Sequence, residues 1–106
     1  DVGAHKMWIA REYNCYKPNT CIISNGFATM GIAVPGAVAA KLINPDKKIL
    51  AISGDGGFMM NSQEYETALR EGTPIVTLIF SDASLNGSRS TVLESNVMWI
   101  SRTPIL

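Results

Sequence analysis

Two runs of the chain, residues 49–53 ("ILAIS") and 74–80 ("PIVTLIF"), lack the polar alternation of a strand with one wet face. A strand that is apolar along its length needs cover on both sides. Between them lies "NSQEYETALREG", where Tyr65, Ala68 and Leu69 fall on one helical face. Strand, helix and strand in that order specify an α/β fold: a parallel sheet flanked by helices, with right-handed crossovers. At 106 residues the chain is one small domain at most.

Both runs lead into a carboxylate. "AISGDGGF" brings Asp55, and "LIFSDAS" brings Asp82. In open α/β sheets, ligands gather beyond the carboxyl ends of the strands. If the two strands are parallel neighbours, both carboxylates enter one crevice. Gly54, Gly56 and Gly57 crowd around Asp55, and bare glycine amides at the start of a helix can cradle an anion. Phosphate-binding amides beside two carboxylates suit Mg²⁺, which takes near-octahedral oxygen ligands at about 2.0–2.1 Å and shares them with substrate phosphates. The competing reading is a glycine turn in which Asp55 merely caps a helix. Neither G-x-G-x-x-G nor G-x-x-x-x-G-K-[ST] occurs.

Elsewhere the signals are local. "AHKMWIAREYNC" is a short helix, broken by "YKPNT", where Pro18 disfavours helix at Lys17. "CIIS" is expected to be a short buried strand and "NGFATMG" a glycine-punctuated loop. "IAVPGAVAAKLINP" is a helix of small residues that tolerates Pro35 and Gly36 near its start. Asn61 or Ser62 should cap the next helix, with Glu64 close behind and Gly72 at its end. Residues 85–106 show only weak periodicity and are expected to form a divergent tail of uncertain structure.

Nine basic and nine acidic side chains cancel without any run of one sign, which speaks against nucleic-acid or membrane-surface binding. No apolar stretch is long enough to span a bilayer. Cys15 and Cys21 have neither zinc-site nor redox-pair spacing and read as reduced thiols of a cytoplasmic protein. Asp1 has no initiator Met before it, and "DVGAH" reads like the exit of a strand already under way. The chain is expected to be a piece of something larger, a partial domain.

"GDGGFMMNSQEYETALREGTPIVTLIFSD" resembles the diphosphate-binding, C-terminal domain of the thiamine-diphosphate enzymes, whose motif runs from G-D-G through a helix and a strand to an N-[ND] pair. "DVGAHKMWIARE" and "ISNGFATMGIAVPGAVAAKL" are similar, within that family, to acetolactate synthases. The resemblance covers residues 1–84. It implies a thiamine-diphosphate-binding fold and a parent enzyme that condenses two pyruvates to 2-acetolactate with loss of CO₂. A sibling 2-oxo acid decarboxylase or oxidase, or a catalytically inert isolated domain, is the alternative.

The resemblance also implies roles. Asp55 and Asp82 would bind Mg²⁺ through their side chains and Ser84 through its carbonyl. Gly54, Gly56 and Gly57 would hold the diphosphate, with His5 nearby. The Ala28 carbonyl would accept from the aminopyrimidine amino group, and Met30 would wedge between the cofactor's rings. Ser81 departs from the family's usual Asn, and "LNGSRSTV" departs from the family's continuation beyond the motif. No catalytic residue is expected in this chain, because the glutamate that protonates the pyrimidine belongs to a pyrimidine-binding domain of a second subunit, in a homodimer or homotetramer. The parent's role, in branched-chain amino acid synthesis or in acetoin production, stays open, as does a flavin on a further domain.

Overall fold

The computed structural model describes residues 1–81 and the backbone of residues 96–102. Helix α1 (Ala4–Glu12) is followed by a long irregular segment, then α2 (Ala33–Ile43) and strand β1 (Leu50–Gly54). The short α3 (Asp55–Met60) leaves β1 directly, α4 (Glu64–Arg70) comes next, and β2 (Val76–Ser81) and β3 (Asn96–Arg102) complete the order. β1 pairs with β2 in parallel, from Leu50 opposite Val76 to Gly54 opposite Phe80. β3 adds an antiparallel edge to β2, with a register irregularity at Ile79 and Phe80. The α/β fold with parallel strands flanked by helices is as the sequence predicts; the antiparallel edge strand falls in the segment for which it predicts no regular element.

Parallel register puts Ala51 beside Thr77 and Ser53 beside Ile79 on one face of the sheet. All four are buried. Ala51 packs with Val34, Ala37 and Val38 of α2, Ala68 of α4 and Ile75, forming the core. Small residues on both partners let α2 lie close to the sheet, as its alanine content predicts. The opposite face, carrying Ile52, Leu78 and Phe80, is half-buried. There α1 covers Phe80: the His5 ring stacks on it at 5.7 Å between centroids, and Trp8 meets it edge-on at 6.1 Å. The second face is therefore less covered, among the described residues, than two continuous apolar strands imply.

Three local expectations need correction. Residues 21–24, "CIIS", form no strand, and Ile22 is largely exposed. No neighbouring strand offers that segment a ladder among the described residues; its Ser24 carbonyl instead accepts from Lys6 Nζ at 2.6 Å. Neither Asn61 nor Ser62 caps α4 through its side chain. The backbone carbonyls of Asn61, Ser62 and Gln63 already accept from the amides three residues on, at 3.0–3.2 Å, so the first turn needs no side-chain cap. Leu69 is also more exposed than Tyr65 and Ala68, which alone of the three pack toward the core.

The other end of α4 agrees with the sequence. Gly72 takes φ 60° one residue past the C-cap Glu71. Its N–H donates to the Leu69 carbonyl at 3.2 Å and that of Thr73 to Ala68 at 2.9 Å, the paired bonds of a Schellman motif. A Cβ on Gly72 would meet no atom within 4 Å, so substitution strains the backbone alone. Gly72→Ala should lower the free energy of urea unfolding by about 1 kcal/mol, the cost of a left-handed conformation for an L-residue. An unchanged denaturation midpoint would contradict that origin of the helix end.

Candidate cofactor site

Gly54 ends β1 in an extended conformation and Asp55 begins α3 at once, so the carboxylate stands at the carboxyl edge of the sheet. One of its oxygens, Oδ1, accepts from the Gly56 amide at 2.7 Å. The other, Oδ2, accepts from the Ser81 hydroxyl at 2.8 Å. The parallel register that sets Gly54 opposite Phe80 produces this second contact, because Ser81 comes next along β2. The ends of the two strands are thus joined through Asp55. Asp82 comes directly after Ser81, but Asp82 and Ser84 lie outside the described residues. Among the described residues no three His, Cys, Asp or Glu side chains cluster as a metal site.

The glycines around Asp55 have separate tasks. At Gly57 a Cβ would lie 2.6 Å from Asp1 Oδ2 and 3.0 Å from Ser53 Oγ, so a side chain there would displace the Asp1 carboxylate. At Gly56 a Cβ would meet only the Met30 methyl, at 3.8 Å, an ordinary contact. Met30 therefore reaches over the first turn of α3 while staying partly exposed. At Gly54 a Cβ would come 3.6 Å from His5 Cε1, which places His5 against the end of β1.

His5 is only 3% exposed. Its Nε2 is buried with no hydrogen-bond partner among the described residues. An unsatisfied buried nitrogen costs about 1–3 kcal/mol, so a polar group brought to this strand end would be favoured. The loop of residues 25–31 approaches the same end through Met30. It contains three residues with positive φ: Gly26 at 80°, Gly31 at 86° and Ala28 at 46°. The first two are free to adopt that conformation, whereas Ala28 has a Cβ and is strained.

Of the residues singled out in the sequence, Gly54, Asp55, Gly56 and Gly57 lie together where β1 becomes α3. His5 lies behind them and Met30 above them, in the loop that also carries Ala28. Three residues of this neighbourhood are not marked in the sequence as parts of a site, Asn61 reading there only as a helix cap. Asp1 accepts from the Gly31 amide and from Ser53 Oγ, both at about 3 Å. Asn61 Nδ2 donates to the Gly31 carbonyl at 2.8 Å. The third, Ser53, reads only as part of an apolar run.

A family model described as "Thiamine pyrophosphate enzyme, C-terminal TPP binding domain" matches residues 1–98. The chain belongs to this family. Among relatives, "Acetolactate synthase" of Bacillus subtilis is 43% identical over 84 residues, 79% of this chain and 15% of its own length. "Acetolactate synthase large subunit" of Corynebacterium glutamicum is 46% identical over 84 residues, 79% of this chain and 13% of its own. "Acetolactate synthase, chloroplastic" of Arabidopsis thaliana is 40% identical over 84 residues, 79% of this chain and 12% of its own. The chain therefore spans about one seventh of the length of these relatives. No helix among the described residues of this thiamine pyrophosphate-binding domain is long and apolar enough to cross a membrane.

Burial pushes the His5 pKa down from 6.5 to about 4. The folded state thus holds His5 neutral where the unfolded chain binds a proton. Its contribution is complete above pH 6.5 and is lost as pH falls from 6.5 through 4. Each pH unit of that window is worth about 1.4 kcal/mol, so the loss is on the order of 3 kcal/mol. Urea-unfolding midpoints should fall across that window in the wild type and fall less in His5→Gln. Equal slopes in the two proteins would show that His5 is not the group responsible.

Proposed function

We propose that residues 1–84 are the cofactor-diphosphate-binding part of an acetolactate synthase, acting with thiamine diphosphate and Mg²⁺ on pyruvate. The observation that carries the reading is the contact between Ser81 and Asp55 across parallel strand ends. It sets Asp55 beside the residue immediately before Asp82. In this reading Asp55 and Asp82 hold Mg²⁺ through their carboxylates, and Ser84 does so through its carbonyl.

The surrounding residues fit a diphosphate-bearing cofactor on three counts. His5 brings an unpartnered buried nitrogen to the strand end. Gly54, Gly56 and Gly57 put backbone without side chains around Asp55. The 25–31 loop holds Ala28 in a conformation that costs energy and so has to be enforced by its neighbours. Ala28 would offer its carbonyl to the aminopyrimidine, and Met30 would support the ring system. Bound thiamine diphosphate supplies the nucleophilic carbon and electron sink needed to decarboxylate a 2-oxo acid. In this reading the residues named here bind and orient the cofactor.

Phe27, Ile22, Tyr16 and Met59 are exposed on or near the segments that form the site. That supports the inference that a pyrimidine-binding domain of a second subunit, in a homodimer or homotetramer, completes the site and supplies the protonating glutamate. Cys15 and Cys21 are free thiols, which supports a cytoplasmic setting.

Calorimetry with thiamine diphosphate and Mg²⁺ on the complete polypeptide carrying this domain tests the reading. Asp55→Ala should weaken binding by about two orders of magnitude, since losing one partner of a part-buried charge contact costs about 3 kcal/mol and each tenfold is about 1.4. With pyruvate as sole substrate the product should be 2-acetolactate; acetaldehyde would indicate a sibling decarboxylase. The 106 residues by themselves should turn over nothing, and 2-acetolactate formed by them alone would contradict the need for a second domain.

A further inference from the structure

Gly31 is gripped from two directions. Its N–H lies 3.0 and 2.9 Å from the two carboxylate oxygens of Asp1. Its carbonyl accepts from Asn61 Nδ2 at 2.8 Å. Both partners belong to the framework rather than to the loop. The Asp1 carboxylate also accepts from Ser53 Oγ of β1 at 3.0 Å and from the Val2 amide at 2.6 Å. It lies against Gly57 of α3, where a Cβ would come within 2.6 Å of it. Asn61 is the C-cap residue of α3, its amide donating to the Phe58 carbonyl at 3.3 Å.

A side chain at the gripped position would be strained and would displace the Asn61 amide. Gly31 has φ 86°, and a Cβ there would come within 2.6 Å of Asn61 Nδ2 and 3.1 Å of Met60 Cβ. Upstream in the same loop, Ala28 sits at φ 46°. A left-handed conformation costs an L-residue roughly 1–2 kcal/mol. A free loop would relax from it, so something beyond the loop must hold the shape. The two-sided hold on Gly31 is the tether the structure provides.

We propose that Asp1 and Asn61 are positioning residues: by clamping Gly31 they keep the 26–31 loop, with the Ala28 carbonyl and Met30, in the shape that receives thiamine diphosphate. This rests on the reading that the loop takes the cofactor's ring end. Neither residue touches the cofactor; each acts through Gly31. An acceptor oxygen is what Asp1 must offer, so an amide in its place retains part of the hold. Because the two residues grip one glycine, the loss of either releases the loop, and loss of both adds little.

The test uses the complete polypeptide, with wild type, Asp1→Ala, Asp1→Asn, Asn61→Ala and the double alanine variant. Thiamine diphosphate affinity in the presence of Mg²⁺, melting temperature and hydrogen exchange at the Gly31 amide are measured on each. Asp1→Ala and Asn61→Ala should each weaken the cofactor about tenfold or more, the usual scale for groups that orient a binding residue. Asp1→Asn should recover part of that loss, and the double variant should bind about as weakly as the worse single one. Gly31 exchange should be slow in the wild type and fast in Asp1→Ala. Wild-type affinity in both single variants overturns the proposal. So do additive losses that simply track melting temperature, since that is the behaviour of a structural role alone. If the wild type binds no thiamine diphosphate, the functional reading fails, and the cofactor role of the clamp fails with it. The clamp itself is then judged on Gly31, where fast exchange in the wild type refutes it.

Discussion

The parallel pairing of β1 with β2 is the constraint on which the rest of the molecule depends. It sets Gly54 level with Phe80. That single register produces the bond from Ser81 to Asp55, the stacking of His5 on Phe80 beside Gly54, and the start of α3 at the sheet's edge. A slip of β2 by one residue against β1 would turn Thr77 and Ile79 to the opposite face of the sheet and separate Asp55 from Ser81. Core and candidate site are therefore specified by the same backbone ladder. A domain this small gains from that economy, because its buried apolar cluster consists largely of alanine, valine and isoleucine.

Around that ladder, carboxylates and glycines divide the work. Asp55 faces outward at the strand ends, whereas Asp1 faces inward and ties β1, the 26–31 loop and α3 together. Gly57 gives Asp1 room, and Gly31 supplies both the donor and the acceptor through which the loop is held. Gly56 lies beneath the Met30 methyl, where a Cβ would make only an ordinary contact. The motif that looks in sequence like one flexible turn is, in three dimensions, the meeting point of three separately anchored segments.

How much of this the sequence discloses depends on how far apart the interacting residues lie. The strands are legible because residues 49–53 and 74–80 carry their apolar character locally, and α2 and the end of α4 because Pro35 and Gly72 mark positions with one physical use. The grouping of Asp55 with its flanking glycines is legible for the same reason. "CIIS" misleads because a short apolar run looks alike whether or not a neighbour exists to pair with it. Asn61 misleads because its local pattern is that of a helix cap, while its partner, Gly31, lies 30 residues away. Asp1 has no local pattern at all; the elements it joins meet only in the folded chain. Ser81 is visible as the residue before Asp82, but its bond to Asp55 requires the strand register.

Both strand ends must serve one metal-diphosphate site if the proposed function is right. Mn²⁺ in place of Mg²⁺ allows a direct measurement, because the paramagnetic ion broadens nearby backbone amide resonances. With thiamine diphosphate present, the amides of residues 54–57 and of Phe80 and Ser81 should broaden together at the same metal concentration. Broadening at only one strand end, or at neither, would contradict a shared site.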